Sequence, residues 1–208
     1  PLNLPLDRSK SNAPVAWGLT SKFIFVAMLA AYVYLAIQKI HLPFMDEETW
    51  EFYAAKTLML QDSALMVNGK SNMLHPHGYY YILGLSMKFL GYNEWGARVV
   101  GLVFTLLTNL LMLGILKSLR GRIHPTEALI CCALYLLAPG VVQGSLIITA
   151  DTGVHSFFLL LRLWAVIHFH PYMTNSYALL AVLFALCLWI KFTPPSVLIG
   201  AVGLAMMI

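Results

Sequence analysis

Met45-Asp46-Glu47-Glu48-Thr49-Trp50-Glu51-Phe52-Tyr53 follows shortly after an apolar segment, residues 16–38, that is long enough to cross a bilayer. Four carboxylates within six residues are costly to hold near lipid unless they face water or a partner. The next clear apolar span begins only near residue 98. The stretch therefore divides a first span from a long non-spanning loop rich in acidic and aromatic residues. Such a loop suggests a site built at a membrane face.

Working outward, the whole chain has the composition of an integral membrane protein. It is 60% hydrophobic and 11% charged, with a mean hydropathy of +0.76. A soluble domain is nearer half apolar and a quarter charged. The net charge of +4 is spread along the chain, with no basic stripe that would suit nucleic acid. Cys131, Cys132 and Cys187 lie in apolar stretches and read as packing residues, without a sign of disulfides or metal. The seven histidines show no zinc spacing.

A spanning helix needs about 20 mainly apolar residues. Residues 16–38, 98–117, 125–148 and 152–169 meet this, 176–190 is shorter, and 193–208 reads as a further span. Lys191 and Pro194-Pro195 separate the last two. Arg8 and Lys10 precede the first span and place the N-terminus in the cytoplasm by the positive-inside rule. Lys117, Arg120 and Arg122 then fall on the cytoplasmic side only if residues 77–92 do not cross. Residues 77–92 are therefore expected to form an interfacial helix, with Tyr79, Tyr80 and Tyr81 at headgroup level. The loop 39–97 is then external, and Asp46, Glu47, His75, Asp151 and Lys191 share one side.

The loop is expected to hold two juxtamembrane helices, 47–61 and 77–90. In the first, Trp50, Tyr53, Ala54, Thr57, Leu58 and Gln61 fall near helical spacing and predict one aromatic-apolar face. Asn68-Gly69-Lys70 reads as a turn, and Pro76 precedes the second helix.

Asp46-Glu47 suits a general base, a divalent-cation ligand or the N-cap of the following helix, and these readings are compatible. Asp151, between two spans, suits a second acid of the same site or an N-cap. His75 and His77, in His75-Pro76-His77, suit donors to a phosphate or sugar hydroxyl, or plain interfacial residues. Lys191 suits a lipid-linked phosphate or a snorkelling role. Arg98 is spaced to pair with Glu94 at i−4, with phosphate as the other candidate. Arg162, inside the fourth span, reads as structural.

In order and spacing these elements resemble the N-terminal half of membrane glycosyltransferases of the GT-C fold. The nearest resemblance is to the family that contains the protein O-mannosyltransferases and the lipid A aminoarabinose transferases. The matching pieces are Asp46-Glu47, Asn68-Gly69, His75-Pro76, Tyr79-Tyr80-Tyr81, Gly91-Tyr92-Asn93-Glu94-Trp95-Gly96-Ala97-Arg98, Thr149-Ala150-Asp151 and Lys191-Phe192-Thr193-Pro194. They cover about residues 20–200.

The resemblance implies an all-α polytopic membrane protein, a GT-C-like helix bundle of which residues 1–208 form the N-terminal part. On that reading a C-terminal remainder is missing, and the fragment alone is inactive. It implies transfer of a sugar from a polyprenyl-phosphate carrier to a lipid, glycan or protein acceptor, with the site facing outward from a bacterial cytoplasmic membrane. It implies catalytic roles for Asp46, Glu47 and Asp151, and substrate-binding roles for His75, His77, Tyr80, Arg98 and Lys191. No cofactor is implied beyond a divalent metal, whose ligands would be Asp46 and Asp151. Many bacterial members carry Lys-Pro-Pro where this chain has His75-Pro76-His77, which weakens a phosphate contact there. A flippase for a lipid-linked anionic solute and a non-catalytic scaffold are the rival readings.

Overall fold

The computed structural model describes residues 17–40, 42–44, 46–61, 66–67, 70–71, 77–148, 153–168 and 174–190. The order is α1 (Leu19–Ile40), α2 (Asp46–Gln61), β1 (Met66–Val67), β2 (Lys70–Ser71), α3 (His77–Leu90), α4 (Glu94–Arg120), α5 (Pro125–Leu137), α6 (Pro139–Leu146), α7 (Val154–His168) and α8 (Thr174–Ile190). β1 and β2 form one short antiparallel pair, Met66 opposite Ser71 and Val67 opposite Lys70, around the expected turn. The other regular elements among the described residues are all helices, and the architecture is that of an all-α membrane protein.

At 1.5 Å per residue, the 22 residues of α1 and 27 of α4 span about 33 and 40 Å, enough to cross a hydrocarbon core of about 30 Å. α1 leaves Leu19, Phe23, Val26 and Leu35 exposed, as a lipid-facing helix does. The apolar run 125–148 is not one straight helix. α5 and α6 meet at a bend of 60°, and only the pair together has spanning length. Pro139 removes a backbone donor, and Ala138 before it takes an extended conformation (φ −60°, ψ 125°), as residues before proline do. α4 starts at an Asn93 cap, whose side chain accepts from the Gly96 N–H at 2.9 Å, and stops at Gly121 with φ 72°.

α4 is the central element. α7 lies parallel to it: Gly153 packs on Gly101, Phe157 and Phe158 on Phe104, and Trp164 near Gly114. Glycine at both 101 and 153 lets the two backbones approach closely, as in tight membrane helix pairs. α6 closes on the same patch, where the Ser145 carbonyl lies against Gly101. The Tyr32 hydroxyl of α1 donates to Ser145 Oγ at 2.6 Å, and Ser145 Oγ donates to the Val142 carbonyl.

α2 and α3 cap one end of this bundle and run antiparallel. Gly84 of α3 packs on Ala55 and Met59, while Tyr92 beyond α3 lies near Lys56. Their shared core holds Phe52, Ala55, Leu58, Tyr79, Tyr80, Leu83 and Met87, joined by Ala97, Ile148, Val154 and Ile190. Two expectations are corrected here. The inner face of α2 is Phe52, Ala54, Ala55 and Leu58, so Ala54 and Leu58 of the expected face are buried, whereas Trp50 and Tyr53 are exposed. Tyr79 and Tyr80 point into the core, with Tyr80 fully buried, so only Tyr81 faces outward. Ring burial outweighs the headgroup preference because α3 is apolar on both sides.

α3 turns into α4 through Gly91 (φ 102°), and Gly96 then packs against the Gly91 carbonyl and the Met87 backbone. A Cβ at residue 96 would collide with backbone, which cannot move aside. Gly96→Ala is therefore expected to cost about 1–3 kcal/mol, read as a lower thermal unfolding midpoint in detergent. An unchanged midpoint would show that the α3–α4 turn relaxes freely.

Candidate active site

Arg98 lies in the second turn of α4 and is 3% exposed. Its five N–H donors all have partners. Nε donates to Glu48 Oε1 at 2.9 Å and Nη2 to Glu48 Oε2 at 2.7 Å, a fork-to-fork pair. Nη1 donates to the carbonyls of Ile40 (2.9 Å) and Leu42, and Nη2 also donates to the Pro43 carbonyl at 3.1 Å. The Phe44 ring lies under the guanidinium, 5.2 Å from its carbon. Glu48, 1% exposed, accepts in addition from the Ile148 N–H at 3.0 Å.

A buried ion pair offsets its desolvation only when the remaining donors and acceptors are also satisfied. Here they are, and the result is a clamp. It joins the end of α1, the 42–43 connection, the first turn of α2, the start of α4 and the segment after α6. Two expectations for Arg98 are thereby corrected. Its ionic partner is Glu48, fifty positions away, and not Glu94. It also keeps no donor for a carrier phosphate.

The clamp fixes the segments that carry the sequence-derived acids. Asp46 and Glu47 open α2, immediately ahead of Glu48. Asp151 lies outside the described residues, three positions after Ile148 and two before Gly153. Chain reach limits its Cα to about 11 Å from that of Ile148, and Gly153 is held on Gly101. The Glu48–Ile148 hydrogen bond thus joins the first turn of α2 to the residue three positions before Asp151 in sequence.

Of the other candidates, His77 is described and lies beside a second junction. His77 is exposed at the start of α3. The next residue, Gly78, packs on the Trp189 carbonyl, and the Tyr81 and Trp189 rings lie 5.8 Å apart. Lys191 directly follows Ile190, and His75 precedes His77 by two; both lie outside the described residues, as does the expected span 193–208. Tyr80 is enclosed by the core, so its expected contact with substrate is corrected to a packing role. The hydroxyl and ring have no surface to offer a ligand.

Among the described residues no group of three or more His, Cys, Asp or Glu is placed to hold a metal. A cavity of about 300 Å³ lies at the opposite end of α4, lined by Leu116, Arg120, Ile123, Glu127, Ile130 and Cys131. It is remote from the clamp and lacks an acid other than Glu127, which pairs with Arg120 at 3.0 Å. Sequence reasoning missed Glu48. The available signal was its place in an acidic run on the same side as a lone arginine at the head of a span.

No curated protein and no solved structure matches the chain. The family model described as dolichyl-phosphate-mannose-protein mannosyltransferase matches residues 74–208, from just before α3 onward. With its long apolar helices, the chain is an integral membrane protein. It belongs to the dolichyl-phosphate-mannose-protein mannosyltransferase family, membrane glycosyltransferases that draw their sugar from a polyprenyl-phosphate carrier.

Proposed function

We propose that this chain carries the acidic part of a site that moves a sugar from a polyprenyl-phosphate carrier to a lipid, glycan or protein acceptor. The reaction is direct displacement at the anomeric carbon. Asp46 takes the proton from the acceptor hydroxyl or amine as the new bond to the anomeric carbon forms. The bond from that carbon to the phosphate oxygen breaks, and polyprenyl phosphate leaves with the electron pair. Asp151 orients the acceptor, and Glu47 supports it. Lys191 and His77 face the departing phosphate, whose growing charge needs a cation.

The observation that carries this reading is the Glu48–Arg98–Ile148 clamp. A fully satisfied buried ion pair at the head of a span is an expensive device, and it supports this reading by joining the start of α2, which carries Asp46 and Glu47, to Ile148, three positions before Asp151 in sequence. The basic flanks of the spans favour placing this end on the outer or luminal side. The six segments 16–38, 98–117, 125–148, 152–169, 176–190 and 193–208 are the crossings on this reading.

The test is transfer itself. Membranes bearing the protein in a full-length form that includes residues 1–208 are incubated with polyprenyl-phosphate mannose labelled in the sugar, and the label is followed into lipid, glycan and protein fractions. Transfer above membranes lacking the protein is expected. Labelled carrier that crosses the bilayer without losing its sugar would instead establish a flippase.

A further inference from the structure

Arg162 is an isolated cation in the middle of an apolar helix. It lies eight residues after the start of α7 and six before its end, so about 12 and 9 Å from the two ends. Its guanidinium carbon sits 4.6 Å from the centroid of the Phe184 ring on α8. Nη1 is buried with no hydrogen-bond partner among the described residues. The side chain as a whole is only partly covered, and the next residue on α7, Leu163, is exposed.

A charged side chain inside a membrane span is costly and is found paired. Among the described residues no acid pairs with it. Of the chain's nine acids, four lie between residues 46 and 51 on α2, and Glu94 opens α4. Glu127 is paired with Arg120 at the other end. Asp7 precedes α1 in sequence, Asp62 follows α2 and Asp151 precedes α7; residues 169–173 and 191–208 contain no acid. A second copy of the chain would bring the same acids at the same levels.

Depth separates the remaining anions. Phe184 is six residues before the end of α8, about 9 Å below the site end. Lipid phosphates lie outside the hydrocarbon layer, whereas a carboxylate on a neighbouring helix can sit at any depth. We propose that Arg162 anchors an acidic transmembrane helix from outside these 208 residues, whose Asp or Glu pairs with the guanidinium on the outer face of α7 and α8. The cation–π contact with Phe184 holds the guanidinium against α8, and the exposed Leu163 supplies apolar contact beside it.

The test uses the whole chain in phosphatidylcholine vesicles and a synthetic apolar helix of roughly 20 residues with one central Glu, Gln or Leu. Association is read by energy transfer between labels. The Glu helix is expected to bind about tenfold more tightly than the Leu helix, in the range of intramembrane polar pairing. Arg162→Gln should remove that preference and Arg162→Lys should keep part of it. Equal binding of the three helices, or a preference that survives Arg162→Gln, would overturn the proposal. So would loss of the preference in vesicles made anionic with phosphatidylglycerol, which would assign the cation to a lipid phosphate. Should Arg162→Gln fail to fold, the three helices on the unsubstituted protein still decide. None of these outcomes depends on sugar transfer.

Discussion

Arg98→Ala is expected to lower the unfolding free energy by about 3–5 kcal/mol, the range for removing one partner of a buried ion pair. The substitution leaves the Glu48 carboxylate without its counter-ion and strips the carbonyls of Ile40, Leu42 and Pro43 of their donor. Each buried group left unsatisfied carries its own desolvation penalty of about 1–3 kcal/mol. Arg98→Lys should recover little, because three donors on one nitrogen cannot meet a carboxylate fork and three carbonyls together. The double substitution Glu48→Leu with Arg98→Leu separates this device from an ordinary buried pair. Elsewhere an apolar replacement of both partners is often neutral. Here three carbonyls and the Ile148 N–H stay orphaned, so the double variant should remain destabilised. Thermal unfolding in detergent, followed by tryptophan fluorescence, measures all four proteins. A loss below about 1 kcal/mol for Arg98→Ala would mean that water takes over the carbonyls, and that the clamp does not hold the α1–α2 connection.

The same clamp marks the limit of what the sequence made legible. α1 and α4 are readable from length and apolarity, and the helices in 39–97 from spacing and from Pro76. The Glu48–Arg98 pair is not, because its partners are fifty positions apart while Glu94 offers an acid at helical spacing from Arg98. No local rule ranks a distant partner over a near one; only the packing of α2 across the head of α4 does. The break at Pro139 is hidden for a different reason. Residues 125–148 are apolar on average, and hydropathy averages over a bend. Proline in a span is tolerated often enough that its presence does not announce a 60° turn. The inner face of α2 was partly misassigned because Trp50, Tyr53 and Leu58 fit helical spacing as well as Phe52, Ala55 and Leu58 do. Small residues won the inner face: Ala55, opposite Gly84, allows close approach of α3, and a tryptophan there would hold the helices apart. Of the proposed site, the acids Asp46, Glu47 and Asp151 come from the sequence, and the structure adds the Glu48–Ile148 hydrogen bond. Arg98 and Tyr80 pass from ligand contacts to framework.

Asp46→Asn is expected to reduce the rate of sugar transfer by about 10²- to 10⁴-fold, the usual contribution of a general base, while leaving the unfolding midpoint within experimental error. The two halves of this expectation must be measured together. Asp46 is the first residue of α2, where a carboxylate also favours the helix dipole and a polar side chain suits the free N–H groups of the first turn. Asparagine caps a helix about as well as aspartate, so the substitution removes the base and keeps the cap. Asp46→Ala removes both and should cost about 1 kcal/mol in addition to activity. If the role of Asp46 is only to start α2, the ranking reverses: Asn retains full transfer and Ala loses part of it through stability. Asp151→Asn is the companion measurement. As the orienting acid it should raise KM for the acceptor more than it lowers kcat, because a residue that positions a substrate acts on binding as well as on chemistry. A fall in kcat alone at Asp151, with full activity in Asp46→Asn, would exchange the two roles without moving the site. Full transfer in both variants would remove the site from this end of the bundle, and with it the reason for a buried clamp between the two acid-bearing segments.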